Sequence, residues 1–176
     1  MRSALAWIAP DPPRYTGLMA FIMAVAALAL AYIAEYGFGL RPCEMCFWQR
    51  IPFAVVILLA LLAWFVPKMA RPLVWLCAAT FFVGAGLGAF HAGVEWQWWE
   101  GPSSCSSGIN PNMTAAEILK QIQQAASVSC VEPAIRVLGL SMAGWNALYS
   151  FACAVIVALA LTQKPKVSHD VSPAAR

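Results

Sequence analysis

Cys43-Glu44-Met45-Cys46-Phe47-Trp48-Gln49-Arg50 runs without a break into IPFAVVILLALLAWFV, residues 51–66. That apolar run holds 16 residues and no charge. A helix needs roughly 20 to cross a bilayer. The segment therefore spans only if its helix begins near Cys46, which fixes a C-x-x-C at the membrane boundary. Everything else in the sequence is read around that placement.

Three more apolar stretches accompany it, giving spans at about 15–36, 46–66, 72–94 and 137–161. The first, from Tyr15 to Tyr36, carries no charge until Glu35. Its apolar run exceeds that of a signal peptide, and no small-x-small cleavage site follows it cleanly, so it is read as a retained span. The chain is 61% hydrophobic and 11% charged, against about 45–50% and about 25% in soluble domains. A soluble core of this length cannot hide that much apolar surface. Disorder is excluded on the same grounds. The net charge of +3 does not make the chain a soluble nucleic-acid binder. Alternating ten-residue segments are absent, so the backbone groups are paired within helices rather than in a barrel. The expected fold is an all-α membrane protein, an up-down bundle of four transmembrane helices in a single domain over residues 1–176.

Seven of the eleven basic residues (Arg2, Arg14, Lys68, Arg71, Lys164, Lys166 and Arg176) fall on one side of this arrangement. Arg41, Arg50, Lys120 and Arg136 fall on the other, among Glu35, Glu44, Glu95, Glu100, Glu117 and Glu132. The positive-inside rule then puts both termini (tails 1–14 and 163–176) and the 67–71 turn in the cytoplasm. Loops at about 37–49 and 95–136 face outward. Gly84 and Gly88 form a G-x-x-x-G in the third span, a small-residue face for packing within the bundle or between copies. Trp64, Trp75, Trp96, Trp98 and Trp99 cluster near span ends, as interfacial anchors do.

Four of the six cysteines lie in the outward loops: Cys43 and Cys46 in the first, Cys105 and Cys130 in the second. Cys77 and Cys153 lie mid-span and read as small hydrophobes. Outward-facing thiols in even number point to disulfides, and three pairings are open among the four. If the second helix starts near Cys46, that sulfur lies beside free helix N–H groups, which favour a thiolate. Arg50, one turn on, shares its face and would support the thiolate or a bound anion. This suits electron exchange with a membrane-dissolved partner. An inert short disulfide is the plain alternative. Zinc would need Cys105 and Cys130, which lack knuckle spacing, so no metal is expected. Cys105 sits in GPSSCSSG, a polar segment accessible to a large partner. Beyond it, Thr114 and Glu117 open a short amphipathic helix with Ile118, Leu119 and Ile122 on its apolar face.

Four spans, C-x-x-C followed by Phe47-Trp48-Gln49-Arg50, and a long second loop with two spaced cysteines resemble the bacterial disulfide bond formation protein B (DsbB) family. The resemblance covers nearly the whole chain. It implies a dithiol:quinone oxidoreductase of the bacterial inner membrane with periplasmic redox loops, serving a DsbA-like thioredoxin-fold oxidase. It implies that the partner attacks Cys105, that Cys130 pairs with Cys105 and transiently with Cys43, and that Cys46 passes electrons to ubiquinone or menaquinone. Arg50 would hold the quinone. Gln49 stands where a carboxylate occurs in the best-known members. His91, with Glu95 one turn later, is a further candidate at the quinone, as a proton donor. Asn146, Ser141 and Ser150 in the fourth span are read as interhelical hydrogen-bonding groups. A reading of another class is a four-span scaffold pinned by disulfides, for which a charge at Arg50 has no use. The vitamin K epoxide reductase group shares only the general design, since its C-x-x-C lies late in the bundle.

Overall fold

The structure, a computed structural model, describes residues 12–102, 114–116 and 130–162. Helix α1 spans Pro12–Tyr32 and opens on two prolines, tolerated in a first turn whose N–H groups have no helical partner. It continues into a wider π-helical turn, Ile33–Gly37, that carries Glu35. The chain then reverses through Gly39 at φ 67°, a conformation open to a residue without Cβ. Helix α2 spans Glu44–Phe65, a short turn at Pro67–Met69 follows, and α3 spans Ala70–Glu95. Helix α4 spans Met142–Thr162. All four are long and apolar enough to cross a membrane. The fold is therefore an all-α, four-helix membrane bundle.

The fourth helix begins later than hydropathy suggests. Arg136–Val137 pairs antiparallel with Leu140–Ser141 in a tiny hairpin. Its two central residues, Leu138 and Gly139, both take positive φ (53° and 81°), the signature of a tight primed turn. Ser141 Oγ then accepts the Gly144 N–H at 3.2 Å and caps α4. The apolar residues from Val137 onward belong first to this turn, which a hydropathy window cannot separate from the helix.

Helix α3 is the hub and touches each of the other three. Its Phe81, Val74 and Cys77 are fully buried with Val56 of α2 and Val157 of α4. Small residues line the interior (Ala20, Ala24, Ala60, Ala63, Ala78, Ala154), while Leu30, Leu58, Phe82 and Leu159 point outward, each more than half exposed. Large apolar groups outside and small ones inside are what hydrocarbon solvent selects, because burial there gains packing rather than dehydration. Cys77 and Cys153 are free and buried in this core.

The G-x-x-x-G packs within the bundle. A Cβ on Gly84 would stand 3.3 Å from Pro52 of α2, and one on Gly88 only 2.8 Å from the Ala147 backbone nitrogen of α4. Gly86 faces open space. Gly88→Ala therefore forces α3 and α4 apart, costing about 1–3 kcal/mol. Gly86→Ala stabilises slightly through helix propensity. Thermal unfolding of the two variants in detergent, measured side by side, checks the contrast.

Candidate active site

The start of α2 decides which sulfur is special. The helix begins at Glu44, just ahead of Cys46, so Cys43 is the residue that caps it. Its extended backbone lets Sγ accept the Cys46 N–H at 3.3 Å, and the Cys46 sulfur lies 2.8 Å away. Both thiols are free in this structure. The hydrogen bond from the Cys46 side chain is the main force holding the Cys43 thiol at about 4, far below its usual range. Burial opposes it, and His91 adds to it. The expectation that the helix N-terminus acts first on Cys46 is corrected accordingly. Since the charged form is favoured, Cys43 in the reduced protein is expected to titrate with a midpoint near 4. Ultraviolet thiolate absorbance, taken as the difference from Cys43→Ser, should persist down to that pH. Cys46→Ala should move its loss upward; a wild-type midpoint near that of an ordinary thiol would refute the assignment.

His91 reaches this sulfur from α3. Its Nε2 lies 3.6 Å from Cys43 Sγ and 3.8 Å from Glu95 Oε1, and its Nδ1 lies 2.6 Å from Gln49 Nε2. Asn146 of α4 donates to Gln49 Oε1 at 2.6 Å. His91, Gln49 and Glu95 are all buried. Cys130 is buried too, in a second small core with Cys43, Met45 and Val94. It is disulfide-bonded. The expected pairing with Cys105 falls on a residue outside the described ones, as does most of the amphipathic segment after Ala116. The sulfurs of Cys43 and Cys130 and a ring nitrogen of His91 lie within 4.8 Å of one another. Such spacing suits a soft metal ion, but the disulfide occupies one of the three donors here.

Beside these groups opens a cavity of about 350 Å³. Leu28, Ala31 and Ala34 of the first span line one wall, and Phe53, Met142 and Tyr149 line others. Cys46, Arg50, Gln49 and His91 are among its polar groups, with the carboxylates of Glu35, Glu95 and Glu132 also in the lining. A mostly apolar pocket with a few convergent polar groups is the usual form of a small-molecule site. The Arg50 guanidinium is held at 2.6 Å by Glu35 and stacks on the Tyr32 and Phe47 rings at 4.8 and 4.9 Å. Glu35 and Asn146 were not singled out as site residues by sequence reasoning. The signal for Glu35 is its being the sole acid of the first span. Asn146 stood out only as a polar residue in an apolar helix.

Fold and site together describe a four-helix membrane protein with a cysteine pair beside a mostly apolar cavity. The sequence profile of the disulfide bond formation protein DsbB family matches residues 13–160. The chain belongs to this family, and its class of activity is oxidoreduction in disulfide bond formation. It is 30% identical over 149 residues to disulfide bond formation protein B of Xylella fastidiosa (strain 9a5c), covering 79% of this chain and 84% of that one. It is 31% identical over 142 residues to the protein of the same name from Xanthomonas campestris pv. campestris (strain 8004), covering 75% and 80%. An uncharacterized protein of Rickettsia prowazekii (strain Madrid E) is 29% identical over 157 residues, covering 88% and 91%. No solved structure matches the chain.

Proposed function

We propose that this protein reoxidises a periplasmic thioredoxin-fold dithiol oxidase of the DsbA type and passes the two electrons through two cysteine pairs to a membrane quinone. The observation that carries the reading is the succession of sulfurs, Cys130 beside Cys43 and Cys43 beside Cys46, ending at an apolar cavity. In the resting oxidised form, the partner's thiolate attacks Cys105 and Cys130 leaves as a thiolate. Cys130 then attacks Cys43, a Cys43–Cys130 bond forms, and Cys46 takes the electron pair as a thiolate. The second thiol of the partner resolves its mixed disulfide with Cys105, releasing the oxidised partner. Each exchange breaks one S–S bond and makes one, so two electrons move at every step.

The acidity of Cys43 makes it a good leaving group in the return exchange, when Cys105 recaptures Cys130. Cys46, Arg50 and the walls from the first and fourth spans would hold a quinone, which supplies an acceptor for two electrons and two protons. The cavity fits it in size and polarity. Its lining is mostly apolar, and the Arg50 guanidinium, paired with Glu35, supplies a cation for a ring oxygen that gains charge on reduction. His91 faces Cys43 as well as the cavity, so its place beside sulfur supports a hydrogen-bonding task there alongside the proposed proton supply. The basic tails and the 67–71 turn support an inner-membrane protein with cytoplasmic termini and periplasmic redox loops.

The test is quinone reduction by the purified protein in detergent, driven by a reduced thioredoxin-fold oxidase, with Cys46→Ser as the control. Turnover that disappears in the control is the expected result. Absence of turnover in the unaltered protein, with partner and quinone each verified separately, would overturn the relay.

A further inference from the structure

Gln49 stands at the centre of a buried polar chain that links three helices. Its side-chain amide has one accepting end and one end with two N–H donors. Asn146 Nδ2 donates to Oε1 at 2.6 Å, and the Met45 carbonyl, which can only accept, faces Nε2 at 3.4 Å. Turning the amide over would set oxygen against the Met45 oxygen and would set N–H against the N–H of Asn146. The Met45 carbonyl thus fixes the orientation, and Asn146 as it stands matches it. The second N–H of Nε2 then points at His91 Nδ1, 2.6 Å away, and that nitrogen must present a lone pair. The ring proton is left on Nε2, the atom 3.6 Å from Cys43 Sγ.

We propose that Gln49, oriented by the Met45 carbonyl, is a positioning residue that locks His91 in its Nε2–H tautomer and aims a neutral N–H at Cys43 Sγ. Gln49 and His91 are buried, 7% and 2% exposed, so water does not replace either bond. In such surroundings a fixed N–H steadies a thiolate without bringing a second charge into the bundle. A carboxylate at position 49 would impose the opposite pattern. It accepts only, so it would draw a proton onto Nδ1 while still receiving the Asn146 N–H.

The inference rests on the relay reading only for what the N–H serves; the tautomer itself is read without partner or quinone. The chain has two histidines, so His169→Asn leaves His91 alone. Nitrogen-15 NMR of the histidine-labelled full chain in detergent at neutral pH then reports each ring nitrogen separately. The expected spectrum has Nε2 protonated and Nδ1 bare. Gln49→Glu should move Nδ1 into the protonated range. Gln49→Met, close in size but with no donor, should give a mixture of both tautomers. Nδ1 protonated in the unaltered protein would overturn the proposal, as would Gln49→Glu and Gln49→Met spectra identical to it. A normal tautomer pattern in a protein that fails to reduce quinone would sink the relay and leave this assignment standing. If both stand, Gln49→Met slows turnover about tenfold, the effect of losing one aligned hydrogen bond to a charged group.

Discussion

Cys43→Ser should bring quinone reduction down to the uncatalysed background and leave the protein able to oxidise its partner once only. With no disulfide at Cys43 to attack, the Cys130 thiolate released by the partner has nowhere to pass its electrons. It can only return to Cys105 or wait. The second thiol of the partner still resolves the mixed disulfide, so each protein should oxidise at most one partner and then stop with Cys105 and Cys130 both reduced, a state that thiol alkylation on a gel reads out. Cys46→Ser should behave differently, because Cys43 still offers a sulfur near Cys130, within 4.8 Å. That variant should also lose turnover, yet hold a Cys43–Cys130 bond, formed when the Cys43 thiolate attacks Cys130 of the Cys105–Cys130 disulfide and Cys105 leaves as a thiolate; peptide mapping can find it. If both variants ended in the same thiol and disulfide state, Cys43 would not be the link between the two pairs. The contrast is a consequence of geometry, since Cys43 lies against both Cys130 and Cys46.

What the sequence revealed and what it hid divide along the range of the interactions. Span existence is a local property: an apolar run of bilayer length has no other soluble or folded use. Hence all four helices were legible, and so was the dependence of α2 on the C-x-x-C segment. The position of its cap was not. Less than one turn of helix start separates a donor aimed at Cys43 from one aimed at Cys46, and boundaries are where pattern reading is weakest. The fourth helix failed for a related reason, because Leu138-Gly139 turns within an apolar stretch. Its cue was present in Gly139 and Ser141, a turn glycine followed by a cap. The pairing of His91 with Glu95 followed from one-turn spacing, and the two do face each other at 3.8 Å. Its contacts with Cys43 and Gln49 span 48 and 42 positions of sequence. No periodicity encodes those; they exist because Gly84 and Gly88 let α3 approach α2 and α4 closely.

Arg50→Leu should damage the protein twice over, and a double substitution separates the two injuries. Removing the guanidinium leaves the Glu35 carboxylate without its counter-charge near the membrane and leaves the Tyr32 and Phe47 rings without the cation they stack on. The side chains of the pair keep 14% and 18% exposure, so water screens part of the loss. The expected destabilisation is about 2–3 kcal/mol, less than for a fully buried pair broken on one side. Glu35→Gln added to Arg50→Leu removes the orphaned charge and should restore most of the thermal stability. It cannot restore the cation at the mouth of the cavity. The KM for quinone should therefore stay raised by about 10- to 100-fold in the double variant, the effect of one charge-assisted hydrogen bond lost. Glu35→Gln alone gives the opposite sign at the site: with Arg50 no longer neutralised, quinone KM should fall or hold while stability drops modestly. A double variant with normal KM would show that Arg50 is an ion-pair partner for Glu35 and not a ligand for quinone. Recovery of stability without recovery of KM would assign the guanidinium both tasks, with Glu35 and the two aromatic rings holding it over the cavity that Cys46 shares.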